Sequence, residues 1–178
     1  MRRQAIGRRQ ACASPLVHPA STLMSHFASA TPATSPLFRV QTSEIHGEGL
    51  FAARALPANT TLGRYGGQRL SPAEVTEMDW NSQITYLFGL SDGMVIDGSR
   101  GGNALRHLNH SCSPNCEAVE TRTSDGTLQL EIVTLRDVLA DEELCIDYAL
   151  AIDVSESPDR YPCVCLSATC RGTMVASN

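Results

Sequence analysis

The sequence predicts a mainly β fold, on three observations. Short apolar and β-branched runs recur between glycine-containing turns such as Ser91-Asp92-Gly93 and Ser124-Asp125-Gly126. Residues 128–134 largely alternate apolar and polar side chains, the period of a half-buried strand, and 117–121 is read as the partner strand across the turn. One stretch alone carries a full helix-start signal. Many short strands and few helices imply a β domain.

Residues 1–36 are rich in Arg, Ala, Ser, Thr and Pro, lack periodicity and are expected to form a disordered tail. This acid-free start fits a transit peptide or an upstream extension with the true start near Met24, and it has no convincing secretory apolar core. Leu37 opens the folded part. Residues 43–53 read as strand, glycine turn, strand, and Gly47-Glu48-Gly49 by itself marks a hairpin. Residues 55–60 turn into a strand over 61–67. Ser71 then offers an N-cap, Pro72 a first helical residue and Glu74 a capping-box partner, so a short helix is predicted to about Trp80. Residues 84–90 and 94–97 form a predicted hairpin, followed by strands at 117–121, 128–134 and 144–148. No internal repeat interrupts this order.

At 178 residues the chain suits one domain plus a tail. No apolar run approaches the roughly 20 residues of a membrane span, so no membrane contact is expected. The first 43 residues hold five arginines and no acid, so a total charge of −5 leaves −10 on the remainder. An acidic domain disfavours direct nucleic-acid binding and suits a basic polypeptide partner. Every basic residue is Arg; the sequence contains no Lys. Seven cysteines are an odd number, and Cys163-x-Cys165-x4-Cys170 gathers three of them in a pattern that favours a metal over a disulfide framework.

Residues 101–116 place Asn109, His110, Ser111, Cys112 and Asn115 within seven positions around Pro114. Such a cluster is neither a helix nor a strand. It is either a solvated loop or a buried polar turn that holds something other than itself.

The run Arg106-x-x-Asn109-His110-Ser111-Cys112-x-Pro114-Asn115-Cys116 resembles the signature turn of the SET-domain protein lysine methyltransferases. Tyr65-x-Gly67, Glu143-Leu144-Cys145-Ile146-Asp147-Tyr148 and Cys163-x-Cys165-x4-Cys170-Arg171-Gly172 resemble further motifs of that family, in the right order. The resemblance implies a SET fold over residues 37–150: small curved sheets of short strands, closed by a C-terminal pseudoknot in which 143–148 threads beneath the signature turn. It also implies a post-SET segment over 151–178. S-adenosylmethionine would lie against Gly47, Glu48, Gly49, Arg106, Asn109 and His110. Tyr148 would orient the amine and the methyl group, with Tyr65 as a second wall of the lysine channel. Zinc would be held by Cys112, Cys163, Cys165 and Cys170. An isolated zinc knuckle or a redox thiol group is the rival reading of those cysteines. Cys12, Cys116 and Cys145 carry no assigned chemistry, and His46 and His107 are taken as structural.

The implied reaction is methyl transfer to the side-chain amine of lysine in a protein. The alternatives are a zinc-stabilised binding module without turnover and a methyltransferase with a non-lysine substrate. The substrate would be a basic DNA-associated, ribosomal or histone protein. Compact length and a missing pre-SET cysteine cluster suggest a bacterial-type member, cytoplasmic or secreted to act in a host nucleus. Several positions depart from the family pattern: Arg64, Gln68, His107, Cys145 and Leu166. Ile146 replaces a frequent aromatic, which leaves room for a second or third methyl group.

Overall fold

The computed structural model describes residues 36–78 and 86–176, so all but residue 36 of the expected tail lies outside the described residues. In chain order the elements are β1 (Phe38–Thr42), β2 (Glu48–Ala52), β3 (Thr61–Arg64), β4 (Gln68–Leu70), α1 (Pro72–Thr76), β5 (Leu87–Gly89), β6 (Val95–Asp97), β7 (Asn109–His110), β8 (Cys116–Arg122), β9 (Leu128–Thr134) and β10 (Glu143–Ile146). Single 3-10 turns lie at Ala104–His107 and Pro158–Arg160. The strands form three small sheets, ordered β1-β2-β10-β7, β3-β9-β8 and β4-β6-β5. The mainly β expectation holds.

Alternation decides where the core lies. In β9, Leu128, Leu130, Ile132 and Thr134 are buried while the residues between them are partly exposed, as a period of two requires. The inward side chains meet Leu50, Ala52, Leu56, Leu105, Val138 and Leu144, all at most 2% exposed, in one apolar cluster. Removing this surface from water is the main favourable term of folding. Thr134 is the polar member of the row; its hydroxyl donates to the Pro57 carbonyl at 2.7 Å and accepts from the Thr60 amide at 2.8 Å. Its burial therefore leaves no polar group unpaired.

Three local expectations are revised. The segment 43–47 is the hairpin loop itself, closed by Ser43 N–H to the Gly47 carbonyl at 2.9 Å, and the strands flank it. The strand expected over 61–67 ends at Arg64, because Tyr65–Gly67 carries the chain from one sheet to another, where β4 pairs with β6. A side chain on Gly67 would overlap the Asp97 backbone there. Helix α1 keeps its expected capping box but ends at Thr76, within a single turn. It buries none of its residues, so nothing sustains propagation, and the Met78 amide closes a tighter bond onto Val75 at 3.3 Å. Trp80 lies outside the described residues. No helix of the described residues is long and apolar enough to cross a membrane.

Candidate active site and cysteine cluster

Strand β10 is the hinge of the site. It pairs antiparallel with β2 through Leu144 and Leu50, and parallel with β7 through Cys145 with Asn109 and Ile146 with His110. Asn115, 3% exposed, fixes this junction: its Nδ2 donates to the Glu143 carbonyl at 2.7 Å and its Oδ1 accepts from the Cys145 amide at 2.8 Å. The polar cluster of 109–116 is thus a buried, satisfied turn, and the segment 143–148 is tied against it as the pseudoknot expectation requires.

Two cavities meet at this junction. The first, about 430 Å³, is walled by Tyr65, Phe88, Leu105, Leu108 and Ile146 among others. The second, about 280 Å³, takes walls from the 45–48 turn, from Asn109 and His110, and from Pro162, Cys163, Val164 and Met174. Tyr86, Arg106 and Tyr148 line both. The first is a mostly apolar channel; the second is bordered by charged and ring side chains.

Tyr148 follows directly from β10, and three contacts place it. Its amide donates to His110 Nδ1 at 3.0 Å, its hydroxyl donates to the Leu108 carbonyl at 2.9 Å, and its ring lies 5.3 Å from the imidazole. It is 37% exposed, which is open for a residue so tied. Burial, with Cys145 nearby, pushes its phenol up to about 12. Tyr65 is 3% exposed; its hydroxyl donates to the Tyr86 carbonyl at 3.0 Å and its ring packs edge-on to Phe88 at 4.6 Å. Burial raises its phenol well above the ordinary range. Both tyrosines are therefore neutral hydrogen-bonding groups at physiological pH.

Gly47, Glu48, Arg106, Asn109 and His110 all border the second cavity. Gly47 takes a left-handed φ of 49°, which closes the loop tightly. Gly49 does not border the cavity. It sits behind the wall, where any side chain would overlap the Glu143 carboxylate. That carboxylate accepts from Asn109 Nδ2 at 2.8 Å and from the Ser43 hydroxyl at 2.8 Å. The Asn109 amide also reaches the His46 and Glu48 carbonyls at 3.2 and 3.3 Å, so its side chain secures the glycine turn.

Cys112, Cys163, Cys165 and Cys170 bring their sulfurs within 4.8 Å of one another. Four thiolates at about 2.3 Å from a tetrahedral zinc would stand about 3.8 Å apart, and Cys112 and Cys163 are 3.6 Å apart. Backbone amides point at the sulfurs: Cys112 N–H to Cys165, Arg171 N–H to Cys112 and Gly172 N–H to Cys170, at 3.3–3.4 Å. Burial opposes the Cys165 thiolate, yet amides of Cys112 and Ser167 and the neighbouring thiols bring its pKa down to about 6. An all-sulfur set with amide donors fits zinc. Cys116 and Cys145 stand apart as buried thiols, each pushed by burial up to about 12. Cys12 lies outside the described residues.

A family model for the SET domain matches residues 47–149, from the glycine turn to the residue after Tyr148. The chain belongs to the SET-domain family. Its SET domain is 36% identical over 140 residues to an H3 lysine-4 specific histone-lysine N-methyltransferase of Emericella nidulans, a match covering 75% of this chain and 11% of that protein. It is 34% identical over 138 residues to the histone-lysine N-methyltransferase trr of Drosophila melanogaster, covering 74% and 6%. A Saccharomyces cerevisiae H3 lysine-4 specific enzyme is 33% identical over 135 residues, covering 73% and 12%. The chain spans about a tenth of the length of these curated relatives.

Four contributors to this SET domain site were missed from the sequence, Tyr86, His46, His107 and Asn103, while Arg106 was expected there. Tyr86 and Arg106 form a shared wall, with the guanidinium 5.8 Å from the tyrosine ring. His46 and His107, taken as structural, border the second cavity, and His107 Nδ1 lies 3.5 Å from the Glu48 carboxylate. Asn103 bridges elements: its Nδ2 donates to the Arg64 carbonyl at 2.8 Å and its Oδ1 caps the turn at Leu105, 3.2 Å. A clue existed for Asn103 alone, as a capping residue before a short apolar turn.

Proposed function

We propose that this SET domain transfers a methyl group from S-adenosylmethionine to the side-chain amine of lysine in a protein substrate. The observation that carries the reading is the position of Tyr148 on the shared wall of a channel lined by Leu105, Leu108, Ile146 and Phe88 and a second cavity bordered by Glu48, Asn109 and three histidines. The second cavity suits the cofactor, which supplies a methyl group activated on a sulfonium. Its candidate contacts are Gly47, Glu48, Arg106, Asn109 and His110, with Gly49 acting from behind the wall by leaving room for the Glu143 carboxylate. The names of the relatives, histone-lysine methyltransferases, support the same reaction class.

The chain's own residues account for the chemistry as follows. Free lysine titrates near 10.4, and attack requires the neutral amine. Leu105, Leu108, Ile146 and Phe88 wall the channel and strip water from the entering side chain, which disfavours its charged form. The Tyr148 hydroxyl, already donating to the Leu108 carbonyl, keeps lone pairs to hold the amine in line. Tyr65, its own hydroxyl spent on Tyr86, limits how the amine turns. Catalysis is then chiefly alignment in a desolvated site, with no covalent enzyme intermediate. Zinc on Cys112, Cys163, Cys165 and Cys170 would brace the segment that walls the cofactor cavity.

The substrate is a lysine in a basic protein, for which a histone is one candidate. The charge of −10 beyond residue 43 supports a basic partner. The test is transfer of labelled methyl from S-adenosylmethionine to a panel of lysine-rich proteins, by wild type and Tyr148→Phe. Because the chain itself has no lysine, label on lysine must come from the panel. Lysine labelling by wild type with at least about 100-fold loss in the variant is expected. Label on arginine or histidine, or cofactor binding without transfer to any protein of a cell lysate, would overturn it.

A further inference from the structure

Arg171 follows the last cysteine of the cluster, and its side chain reaches Asp147 beside the signature turn. Both terminal nitrogens fork onto Asp147, Nη1 to Oδ2 at 2.7 Å and Nη2 to Oδ1 at 2.8 Å. Nη2 also lies 3.4 Å from the Val175 carbonyl. A bidentate pair of this kind fixes direction as well as distance.

Asp147 is the residue before Tyr148. Its Oδ1 accepts from the Ala149 amide at 3.0 Å, and Ala149 has a left-handed φ of 45° that a residue with a side chain rarely adopts. The carboxylate thus holds the chain in a strained turn directly after Tyr148. On the other side, the Tyr148 amide meets His110. The cysteine-bearing segment has separate anchors: Leu150 and Met174, Ala176 and Leu150, and Met174 and Tyr161 join backbone to backbone. Moreover, the Arg171 Nε is buried with no partner.

We infer that the Arg171–Asp147 fork is a positioning latch, through which the docked cysteine segment sets the turn at 147–149 and hence the angle of Tyr148. The inference rests on the proposed methyl-transfer reading. Arg171 touches neither cavity wall, so it is a positioning residue, acting through Asp147.

The full chain is compared as wild type, Arg171→Gln, Arg171→Lys and Asp147→Asn. Bound zinc, amide hydrogen exchange over residues 146–150, and kcat and KM on the labelled lysine substrate are measured. Expected for Arg171→Gln and Asp147→Asn are full zinc content, exchange about tenfold faster at 146–150, and kcat about tenfold lower with KM within about twofold. Arg171→Lys, which keeps the charge without the fork, recovers part of kcat. Unchanged exchange and kcat with zinc retained would overturn the latch. Loss of zinc in both neutral variants would also overturn it, showing that the pair only folds the segment. If wild type methylates nothing, the function reading fails, and exchange at 146–150 alone decides the latch.

Discussion

The two ends of this domain are held together by different physics. Residues 38–146 close around an apolar cluster in which Leu50, Ala52, Ile132 and Leu144 are completely buried. Residues 147–176 offer little to such a core: Val154, Val164 and Leu166 are exposed, and the segment is secured by four sulfurs, the Asp147–Arg171 pair and isolated bridges at Leu150–Val175 and Pro162–Thr173. Hydrophobic burial is insensitive to chelators and thiol reagents; a thiolate cluster is sensitive to both. Yet the second region walls the cavity proposed for the cofactor. The site's integrity and the fold's integrity therefore answer to different conditions.

The largest effect comes from separating the regions. Cys163→Ser, or strong chelation, removes the staple and should weaken cofactor affinity at least about 100-fold by calorimetry, about 2.7 kcal/mol, while the β-sheet circular dichroism signal stays. Loss of that signal would show that the regions are not separable. Next, Leu144→Ala opens a cavity in the middle of the four-stranded sheet and should cost about 3 kcal/mol in denaturant melts, with zinc still bound in the folded fraction. Ile146→Phe narrows the channel and should shift the product, read by intact mass, toward a single methyl group. Wild type yielding strictly monomethyl product would remove the basis for that prediction. Leu166 has a left-handed φ of 58° and is 76% exposed, so Leu166→Gly should stabilise the cysteine loop by about 1 kcal/mol, measured as slower zinc release to a chelator. The smallest effect is on pH: with the Tyr148 phenol at about 12, kcat/KM should rise between pH 7 and 10 with the substrate amine and show no second limb. A descending limb near pH 10 would mean that the phenol titrates at its ordinary value in the working enzyme.

What was legible in the sequence was whatever repeats locally or sits in one short run. Strand β9 announced itself by alternation, and β8 lies across the turn from it in the register Cys116 with Thr134 through to Arg122 with Leu128. The four cysteines, Tyr65, Tyr148 and the signature turn lay in compact motifs. The resemblance already implied Cys112 rather than Cys116; in the structure Cys112 lies with the other three sulfurs, and the burial that sets Cys116 apart is imposed by β9, its partner across the sheet. Likewise, nothing in the sequence around Gly49 says that Glu143 will lie against it, or that Asp147 will meet Arg171. These contacts join residues far apart in the chain, at positions without periodic signal, and only the completed topology brings them together. Strand β4 escaped notice for a simpler reason. Three residues, Gln68–Leu70, are too short to display a period.

The pairing of β10 between β2 and β7 also bears on how the protein is made. Hairpins β1–β2 and β8–β9 join neighbouring segments and can pair as soon as both strands leave the ribosome. Leu50, in contrast, waits for Leu144, about 90 residues later. Until then β2 and β7 each present an unpaired edge to the cell. The cavity proposed for the cofactor has one wall at 45–48 and another at Pro162–Val164 and Met174. A nascent chain therefore exposes a half-built sheet through most of its synthesis, and acquires a binding site only when its last described residues have emerged.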